Sequence, residues 1–516
     1  MAANPKKGKP EEEQKDDVVA KVVNLCQRRG IIFPTSEIYG APAGFFDYGP
    51  YGAQLKRNLE NYWWDYFVRL REDVVGMDGA IITSPAVWQA SGHVDSFNDP
   101  LVDCAKCGLR ARADHLVEDE LKISVDGLSL EHLQELIDEH KIKCPKCGGP
   151  LSPVRSFSLM FKTSVGAAGD EKSTAYLRPE TAQLIFVDFK QVQFVSRKQL
   201  PFGIAQIGKA FRNEIAPRNF VFRCREFTQM EIEYFVHPQK MNDCPLLSPE
   251  LLDARLPLYT QKNQEEKTAA SQETVRAALD AGIIGSRWHA YWLAECFTFL
   301  RLLGLKKEKL RARQHLKDEL SHYSSETWDL EYEYPWGWKE LHGIANRGDF
   351  DLSQHAKHSG KDLSFFDQAA NEKVVPRVIE PSWGVDRLLF TLLIDAFTEK
   401  PPAKQGGEPR VVLSLSPRVA PVQVAVFPLV SKDELPAKAR SVFEDLRSCY
   451  SCEFDESGSI GRRYARQDEV GTPLCVTIDY QTLEDDTVTV RDRDSGAQER
   501  VKASDLRAVV WRKLGL

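Results

Sequence analysis

Short apolar runs, bounded by turn residues and interrupted by helical patterns, recur from about residue 18 to about residue 405, and a shorter alternation of strands and helices follows. Two strand-like runs, 203–214 and 222–235, flank Pro217, Arg218 and Asn219, which predict a hairpin turn. Strand side chains alternate faces, so Arg212 and Glu214 share one face while Arg223, Phe227 and Glu231 share another. Where those faces coincide, two guanidinium groups, an aromatic ring and two carboxylates converge. Arginine forks suit phosphate and carboxylate, and a ring face suits a purine. Taken alone, the pattern describes a charged, solvated hairpin equally well. A third arginine changes the balance. The β-branched run 374–380 meets a break at Pro381, Ser382 and Gly384, and an apolar helical pattern then continues to Phe397. Arg387 falls in the first turn of that helix, where free backbone N–H groups and the helix dipole favour an anion.

The segment 237–326 is rich in Ala, Gln, Glu, Lys and Leu and predicts helices over 261–281 and 287–303, with Trp288, Tyr291 and Trp292 in the core. A Pro/Gly/Lys-rich stretch at 401–409 marks a domain boundary. Beyond it, a strand at 422–430, a helix at 435–447 and strands at 474–479 and 487–491 predict a small α/β domain of about a hundred residues, 417–516. Residues 1–17 are Lys/Glu/Pro-rich with no apolar core, unlike a signal or transit peptide, and predict a disordered tail.

A chain of 516 residues is long for one core, which predicts about two to four domains. Hydrophobic content of 42% and charged content of 28% are ordinary for a soluble globular protein. A net charge of -7 gives no global attraction to nucleic acid, though a local basic patch suffices for phosphate contacts. No apolar run approaches the roughly 20 residues that span a bilayer, so no membrane partner is expected and the cytoplasm is the expected compartment.

Eleven cysteines, an odd count without a secretory signal, argue against a disulfide framework. Cys104-x-x-Cys107-Gly and Cys144-x-x-Cys147-Gly-Gly each put two thiolates on a tight turn, and together they supply four soft ligands for tetrahedral Zn2+. Reduced, metal-free cysteines are the alternative. Four thiol ligands leave no open position, so the metal is expected to be structural and to hold an inserted segment, 98–156, in which 128–142 predicts a helix. Cys449 and Cys452 repeat the spacing without a glycine or a partner pair. Cys224 stands beside two arginines that could lower its pKa, yet a packing role is expected for it.

Phe211-Arg212-Asn213-Glu214, a loop, and Arg223-x-x-x-Phe227 resemble motif 2 of class II aminoacyl-tRNA synthetases, and Gly384-Val385-Asp386-Arg387-Leu388-Leu389-Phe390 resembles their motif 3. The looser motif 1 has its counterpart in a helix at 58–71 and a strand ending at Ser84-Pro85. Within the class, the segments 45–50, 178–183 and 340–345 and Glu380-Pro381-Ser382 resemble the homodimeric glycyl-tRNA synthetases, with similarity over about 18–508.

The resemblance implies an α/β (α+β) architecture. A class II antiparallel-sheet catalytic domain would span 18–405, with a zinc-knuckle insertion at 98–156 and a helical insertion at 237–326, and an anticodon-binding domain would span 417–516. It implies ATP-dependent ligation of glycine to tRNA(Gly) through a glycyl-adenylate, by a homodimer, with Mg2+ accompanying ATP. By the same resemblance Arg212 bridges the amino-acid carboxylate and the α-phosphate, Phe227 stacks on adenine, and Arg223 and Arg387 hold the β- and γ-phosphates. Glu214 meets the adenine side and Glu340 helps hold magnesium; Asn213, Phe222, Leu341, Gly384 and Asp386 complete the ATP site. Glu180 and Glu231 would hold the ammonium of glycine, and Glu380 and Ser382 would crowd out larger side chains. Phe227, Gly384 and Arg112 are further glycine contacts. Basic and aromatic groups in 458–467 suit phosphates and unstacked bases, or form a basic surface loop. Lys306, Lys307, Lys309, Arg311 and Arg313 could touch tRNA or make a solvated helix face. One departure is Leu184, where the family usually has glycine, which bears on packing beneath Glu180.

Three alternatives stay open on the sequence. Threonyl, prolyl and histidyl enzymes share the core and the C-terminal domain. A non-catalytic synthetase-like RNA-binding factor would be expected to lose the three arginines. A zinc-dependent nucleic-acid-binding protein leaves those arginines unexplained.

Overall fold

The computed structural model describes residues 11–123, 125, 128–166, 173–321, 323–368, 370–401 and 409–515, with side chains from Val18 onward. Nine strands form the sheet that positions the site: β1 (Val74–Gly76), β2 (Phe202–Phe211), β3 (Glu226–Val236), β4 (Arg255–Tyr259), β5 (Ser271–Thr274), β6 (Leu310–Gln314), β7 (Glu326–Tyr334), β8 (Gly337–Gly348) and β9 (Arg377–Gly384). Their order is β5-β4-β6-β7-β8-β9-β3-β2-β1. The pairings are antiparallel except β1 with β2 and β4 with β6.

One face of this sheet is covered by α2 (Pro50–Trp64), α3 (Arg287–Leu302) and α4 (Val385–Ala396), which follow α1 (Glu11–Arg28) in the chain. Strand β3 shows how the two faces divide. Met230, Ile232 and Tyr234 alternate with Gln229, Glu231 and Glu233, so the apolar set joins the helices and the polar set faces the opposite way. Every residue of α4 except Arg387 is buried, as expected for a helix apolar on all sides. The sheet and α4 thereby hold one arginine out of a dry core.

The C-terminal unit has its own core. Strands β10 (Val424–Pro428), β11 (Cys452–Phe454), β12 (Leu474–Ile478), β13 (Thr487–Asp492) and β14 (Gln498–Lys502) run in the order β11-β10-β12-β13-β14. Apolar residues of α5 (Leu435–Leu446) and α7 (Leu506–Leu514) pack on it, and α6 (Ile460–Val470) lies between β11 and β12 in the chain. Polar contacts tie this unit to the rest: Arg28 and Arg29 pair with Glu469, Tyr51 Oη donates to Glu453 (2.8 Å) and Asn58 Nδ2 donates to the Ala420 carbonyl (2.9 Å).

Several expectations need correction. The strands of the predicted hairpin stop at Phe211 and begin again at Glu226, so Arg212, Glu214 and Arg223 lie on a loop where strand alternation does not apply. Other segments hold that loop: Asn213 N donates to Leu159 O and Arg225 N to Gly44 O. The predicted helix 261–281 is instead a short helix at Gln261–Glu265, strand β5 and a second short helix at Val275–Asp280. Thr260 and Thr274 cap the two helices separately, and β4, β5 and β6 carry this segment into the main sheet. Of the tail expected over 1–17, residues 1–10 lie outside the described residues and the rest begins α1. Most of the boundary at 401–409 lies outside them too.

The basic cluster at 458–467 is largely structural. Arg463 is buried and donates to the Pro428 and Leu429 carbonyls, Arg466 pairs with Asp455, and Tyr464 bonds Thr477. Near Lys306, Arg311 pairs with Glu331 and Arg313 with Glu319. Trp288, Tyr291 and Trp292 are core, as expected.

Candidate active site

A cavity of about 370 Å³ opens on the polar face of the sheet, between the motif-2 loop, β3, β7, β8, β9 and the start of α4. One end is cationic and aromatic. The Arg212 guanidinium lies 5.4 Å from the Phe227 ring centroid, and its Nε donates to Pro179 O (3.1 Å). Arg387 projects over the Phe222 ring at 4.7 Å and pairs with Glu340 at 3.1 Å. Arg223 Nε meets Glu214 Oε2 at 2.7 Å, with Glu214 buried. The Arg387 guanidinium, aided by Arg212, holds the Glu340 carboxyl below its usual range.

The other end is acidic. Gln206, Glu231, Ser382 and Gly343 face one another across four strands, and Glu380 stands opposite Ala345 in the next row. Glu231 accepts a short hydrogen bond from Thr181 Oγ1. Burial alone would raise the Glu180 carboxyl, but His93 at 3.3 Å, Arg347 and the Gln183 amide hold it below the usual range. Glu380 goes the other way: burial, with Glu231 and Glu180 nearby, raises it well above the usual range, against the pull of Arg347.

Arg347 is the cation that this end is built around. It is 2% exposed and donates twice to Asp351 (2.8 and 2.9 Å) and once to Glu380 (3.0 Å). Its guanidinium lies over the Tyr323 ring at 3.9 Å. Gln183 Nε2 donates to both Glu180 and Asp351, and His355 fixes its amide by bonding Oε1. Beneath the same wall Arg178, 1% exposed, donates to the Lys209 and Gly79 carbonyls; a Cβ on Gly208 would sit 2.1 Å from its Nη2. Leu184 packs against Gly79, where a Cβ would lie 2.8 Å from its Cδ1.

The structure therefore brings Arg212, Glu214, Phe222, Arg223, Phe227, Glu340, Gly384, Asp386, Arg387, Glu180, Glu231, Glu380 and Ser382 to one cavity wall. Three expected residues fall outside that lining. Leu341 is buried under it, Asn213 bonds the Leu159 carbonyl through its N–H, and Arg112 pairs with Asp99 and Asp114. Asp386 lines the cavity, but its carboxylate accepts from Tyr48 Oη and from Thr228 N (2.6 Å), so it braces the residue after Phe227. Cys224 is buried, and burial, with Asp386 nearby, pushes its thiol up against the pull of Arg387 and Lys209.

Sequence reasoning missed Arg347, Asp351, Gln183, Glu233 and the His315–Asp329 pair (2.7 Å). Only Glu233 carried a signal, since Glu231-x-Glu233 places two acids on one strand face. His342 was missed as well. It stacks on Trp383 at 4.0 Å, bonds the Ser382 carbonyl at 2.6 Å and is kept neutral by burial, its pKa lowered to about 3.

Away from this cavity, the four knuckle cysteines come together, with Sγ–Sγ distances of 3.5 Å (Cys104–Cys147) and 3.6 Å (Cys107–Cys144). The Cys107 N–H points at Cys104 Sγ (3.5 Å). Between the pairs stands the helix Leu130–Glu139, close to the predicted span. Among the described residues no helix is long and apolar enough to cross a membrane.

Comparison with known proteins agrees with this geometry. Residues 161–246 match the tRNA synthetase class II core domain (G, H, P, S and T), and residues 423–513 match the anticodon binding domain. The chain is 47% identical over 500 residues to the glycine–tRNA ligase of Caldanaerobacter subterraneus subsp. tengcongensis, covering 96% of this chain and 98% of that protein. It is 47% identical over 493 residues to the glycine–tRNA ligase of Clostridium beijerinckii (94% and 96% covered) and 48% identical over 492 residues to that of Acetivibrio thermocellus (94% and 96%). Identity at this level across nearly the whole length, over a cavity with arginines at one end and carboxylates at the other, means that the chain belongs to the glycine–tRNA ligase family of class II aminoacyl-tRNA synthetases.

Proposed function

We propose that this chain activates glycine with ATP to a glycyl-adenylate and transfers the glycyl group to the terminal ribose of tRNA(Gly). The observation that carries the reading is the polarity of the one cavity, with Arg212, Arg223 and Arg387 at one end and Glu180, Glu231 and Glu380 at the other. The first step brings the carboxylate of glycine against the α-phosphorus of ATP, two like-charged groups, so positioning and fixed positive charge lower the barrier. Arg212, at the cationic end beside Phe227, also reaches the Pro179 carbonyl next to Glu180, and there bridges the carboxylate and the α-phosphate. Phe227 stacks on adenine, Glu214 meets its edge, and Arg223 and Arg387 hold the β- and γ-phosphates. Glu340, kept ionised beside Arg387, is the carboxylate suited to Mg2+ that arrives with ATP.

Glu180 and Glu231 receive the ammonium, with Glu380 and Ser382 filling the space where a larger side chain would project. Rejection of alanine rests on that crowding. The domain limits proposed above, 18–405 for catalysis and 417–516 for the anticodon, accord with two separate cores.

The four thiols fit tetrahedral Zn2+ in number, softness and mutual distance, and the metal would hold the 98–156 segment without entering the reaction. A homodimer through motif 1 is supported by exposed Leu70, Ile81 and Ile82 in that region. The expected setting is the cytoplasm.

The test is ATP–pyrophosphate exchange with glycine, alanine, serine, threonine, proline and histidine supplied separately. Exchange with glycine alone supports the activation step and the glycine pocket, leaving transfer to tRNA to be tested. Exchange with another amino acid keeps the ATP site and removes the glycine assignment, and no exchange with any of them argues for the non-catalytic relative or for activation that requires tRNA.

A further inference from the structure

Beneath the acidic end of the cavity, oxygens of Glu231, Glu233 and Glu380 lie within 4.8 Å of one another, and all three residues are buried. Two of them have partners. Glu231 accepts from Thr181, and Glu380 accepts from Arg347 at 3.0 Å. Glu233 has none: it is 0% exposed, and neither carboxyl oxygen has a hydrogen-bond partner among the described residues. It stands two residues after Glu231 on β3, so both side chains leave the sheet on the same face.

The groups facing Glu233 make this arrangement hard to sustain in ionised form. Glu231 comes from its own strand, Glu380 from β9, Arg347 from β8 and Asp351 from the helix Phe350–Ser359, with Glu180 beyond Glu380. On β2 the residue opposite is Ile204. The helix Ala182–Val187 contributes apolar Ala182, Ile185 and Phe186, while its Gln183 amide is committed to Glu180, Asp351 and His355. His93 faces Glu180. Arg347 directs its bonds at Asp351 and Glu380 and offers Glu233 none. An unbonded carboxylate at this depth, among four other acids, costs several kcal/mol by general experience, whereas the protonated acid costs far less. Burial and Glu380 accordingly raise the Glu233 carboxyl well above its usual range.

We infer that Glu233 is a positioning residue of the ammonium subsite that holds a proton in the empty cavity and gives it to solvent when the ammonium of an amino acid enters beside Glu231 and Glu380. The Glu233 O–H bond breaks, the proton leaves to water, and the carboxylate remains beside Glu231 and Glu380, offsetting the charge of the incoming cation; no covalent bond forms. The inference rests on the proposed assignment of Glu231, together with Glu180, to the ammonium. It makes glycine binding and loss of one proton a single linked event, so the glycine affinity of the free enzyme rises with pH while Glu233 is protonated.

The experiment uses the full-length protein. Glycine binding is measured by calorimetry at pH 7 in buffers of different ionisation enthalpy, and the KM values for glycine and ATP in pyrophosphate exchange are measured from pH 6 to 8. The wild type is expected to release about one proton per glycine, with the glycine KM falling about tenfold per pH unit, while the ATP KM does not follow. Glu233→Gln keeps the shape and removes the acid; its proton release is expected near zero and its glycine KM flat with pH. Glu233→Asp, which retains an acid, is expected to restore release. A wild type that releases no proton overturns the inference, and so does a Gln variant with undiminished release, which would put the proton on another acid. Should the Gln variant fail to fold, a wild type that releases no proton still overturns the inference, and an Asp variant whose glycine KM follows pH just as the wild type's does puts the proton on another acid. Glycine-dependent exchange with a pH-independent glycine KM sinks this inference alone, whereas absence of glycine-dependent exchange at every pH sinks the proposed function.

Discussion

Arg347→Met tests how the acidic end of the cavity is held together. The substitution keeps an unbranched stem of similar volume and removes the guanidinium that makes three hydrogen bonds, two to Asp351 at 2.8 and 2.9 Å and one to Glu380 at 3.0 Å. Removing one side of a buried ion pair costs about 3–5 kcal/mol, because the other side is left charged and dry. Loss of the contact over the Tyr323 ring adds up to about 1 kcal/mol. The pH dependence carries the sharper prediction. In the variant, Glu380, already raised above its unfolded value by burial, loses the cation that pulls the other way, so its folded-state pKa rises further. A raised group stabilises the fold below its unfolded pKa, and that stability is lost as pH rises through the folded pKa. The deficit against wild type is therefore larger near pH 8 than near pH 5.5, growing by up to about 1.4 kcal/mol per pH unit where Glu380 keeps a proton in the variant that it has lost in the wild type. Urea unfolding followed by tryptophan fluorescence reads the right region, since buried Trp63, Trp288, Trp292, Trp328 and Trp383 all lie in the catalytic core. Adding Asp351→Asn should recover part of the loss. An equal deficit at both pH values, or one below about 1 kcal/mol, would refute the claim that Arg347 neutralises buried charge.

Arg212→Ala should lower glycine-dependent pyrophosphate exchange by at least about a hundredfold while leaving the circular dichroism spectrum and unfolding midpoint intact; near-normal turnover would remove its bridging role. Gly208→Ala forces Arg178 away from a position 2.1 Å from the new Cβ, breaking its bonds to the Lys209 and Gly79 carbonyls. A loss of about 2–3 kcal/mol is expected in the same urea assay, and wild-type stability would show that Arg178 is free to move. Metal analysis should find one zinc per chain, and Cys107→Ser should lose it, with protease cutting within 98–156 but an unchanged KM for ATP; a metal-free wild type would leave the four thiols as reduced cysteines. Sedimentation at micromolar concentration should give a dimer of the chain, and an active monomer would rule that out.

The motifs placed the site more accurately than they described its backbone. Arg212, Glu214 and Arg223 were assigned by strand alternation, yet they sit on a loop whose N–H groups bond Leu159 and Gly44, contacts that no local pattern encodes. Arg212 and Arg223 still reach the cavity that Arg387 enters from α4, because the loop returns between β2 and β3. At 261–281, helix-forming composition concealed two threonine caps, and pairing with β4 overrode propensity at Ser271–Thr274. Arg347 was invisible for a different reason. Its partners are Asp351, four residues on in the helix that follows the strand, and Glu380, which strand pairing across β8 and β9 brings alongside. At 458–467 composition suggested a nucleic-acid surface, whereas Arg463 turns inward to satisfy the carbonyls at the end of β10.

The place of β9 in the sheet has a consequence for how the chain is made. Residues 377–384 insert between β8 and β3, so the two halves of the sheet meet only through a strand that emerges from the ribosome after both. Until then β3, with its buried acids, and β8 each present an unpaired edge to other nascent chains. Strand pairing over such sequence separation is slow, and exposed edges during that interval invite association. Protection during synthesis is thus needed until α4 has followed β9 out, and a chain cut before residue 377 should be recovered as aggregate rather than as a soluble half-site.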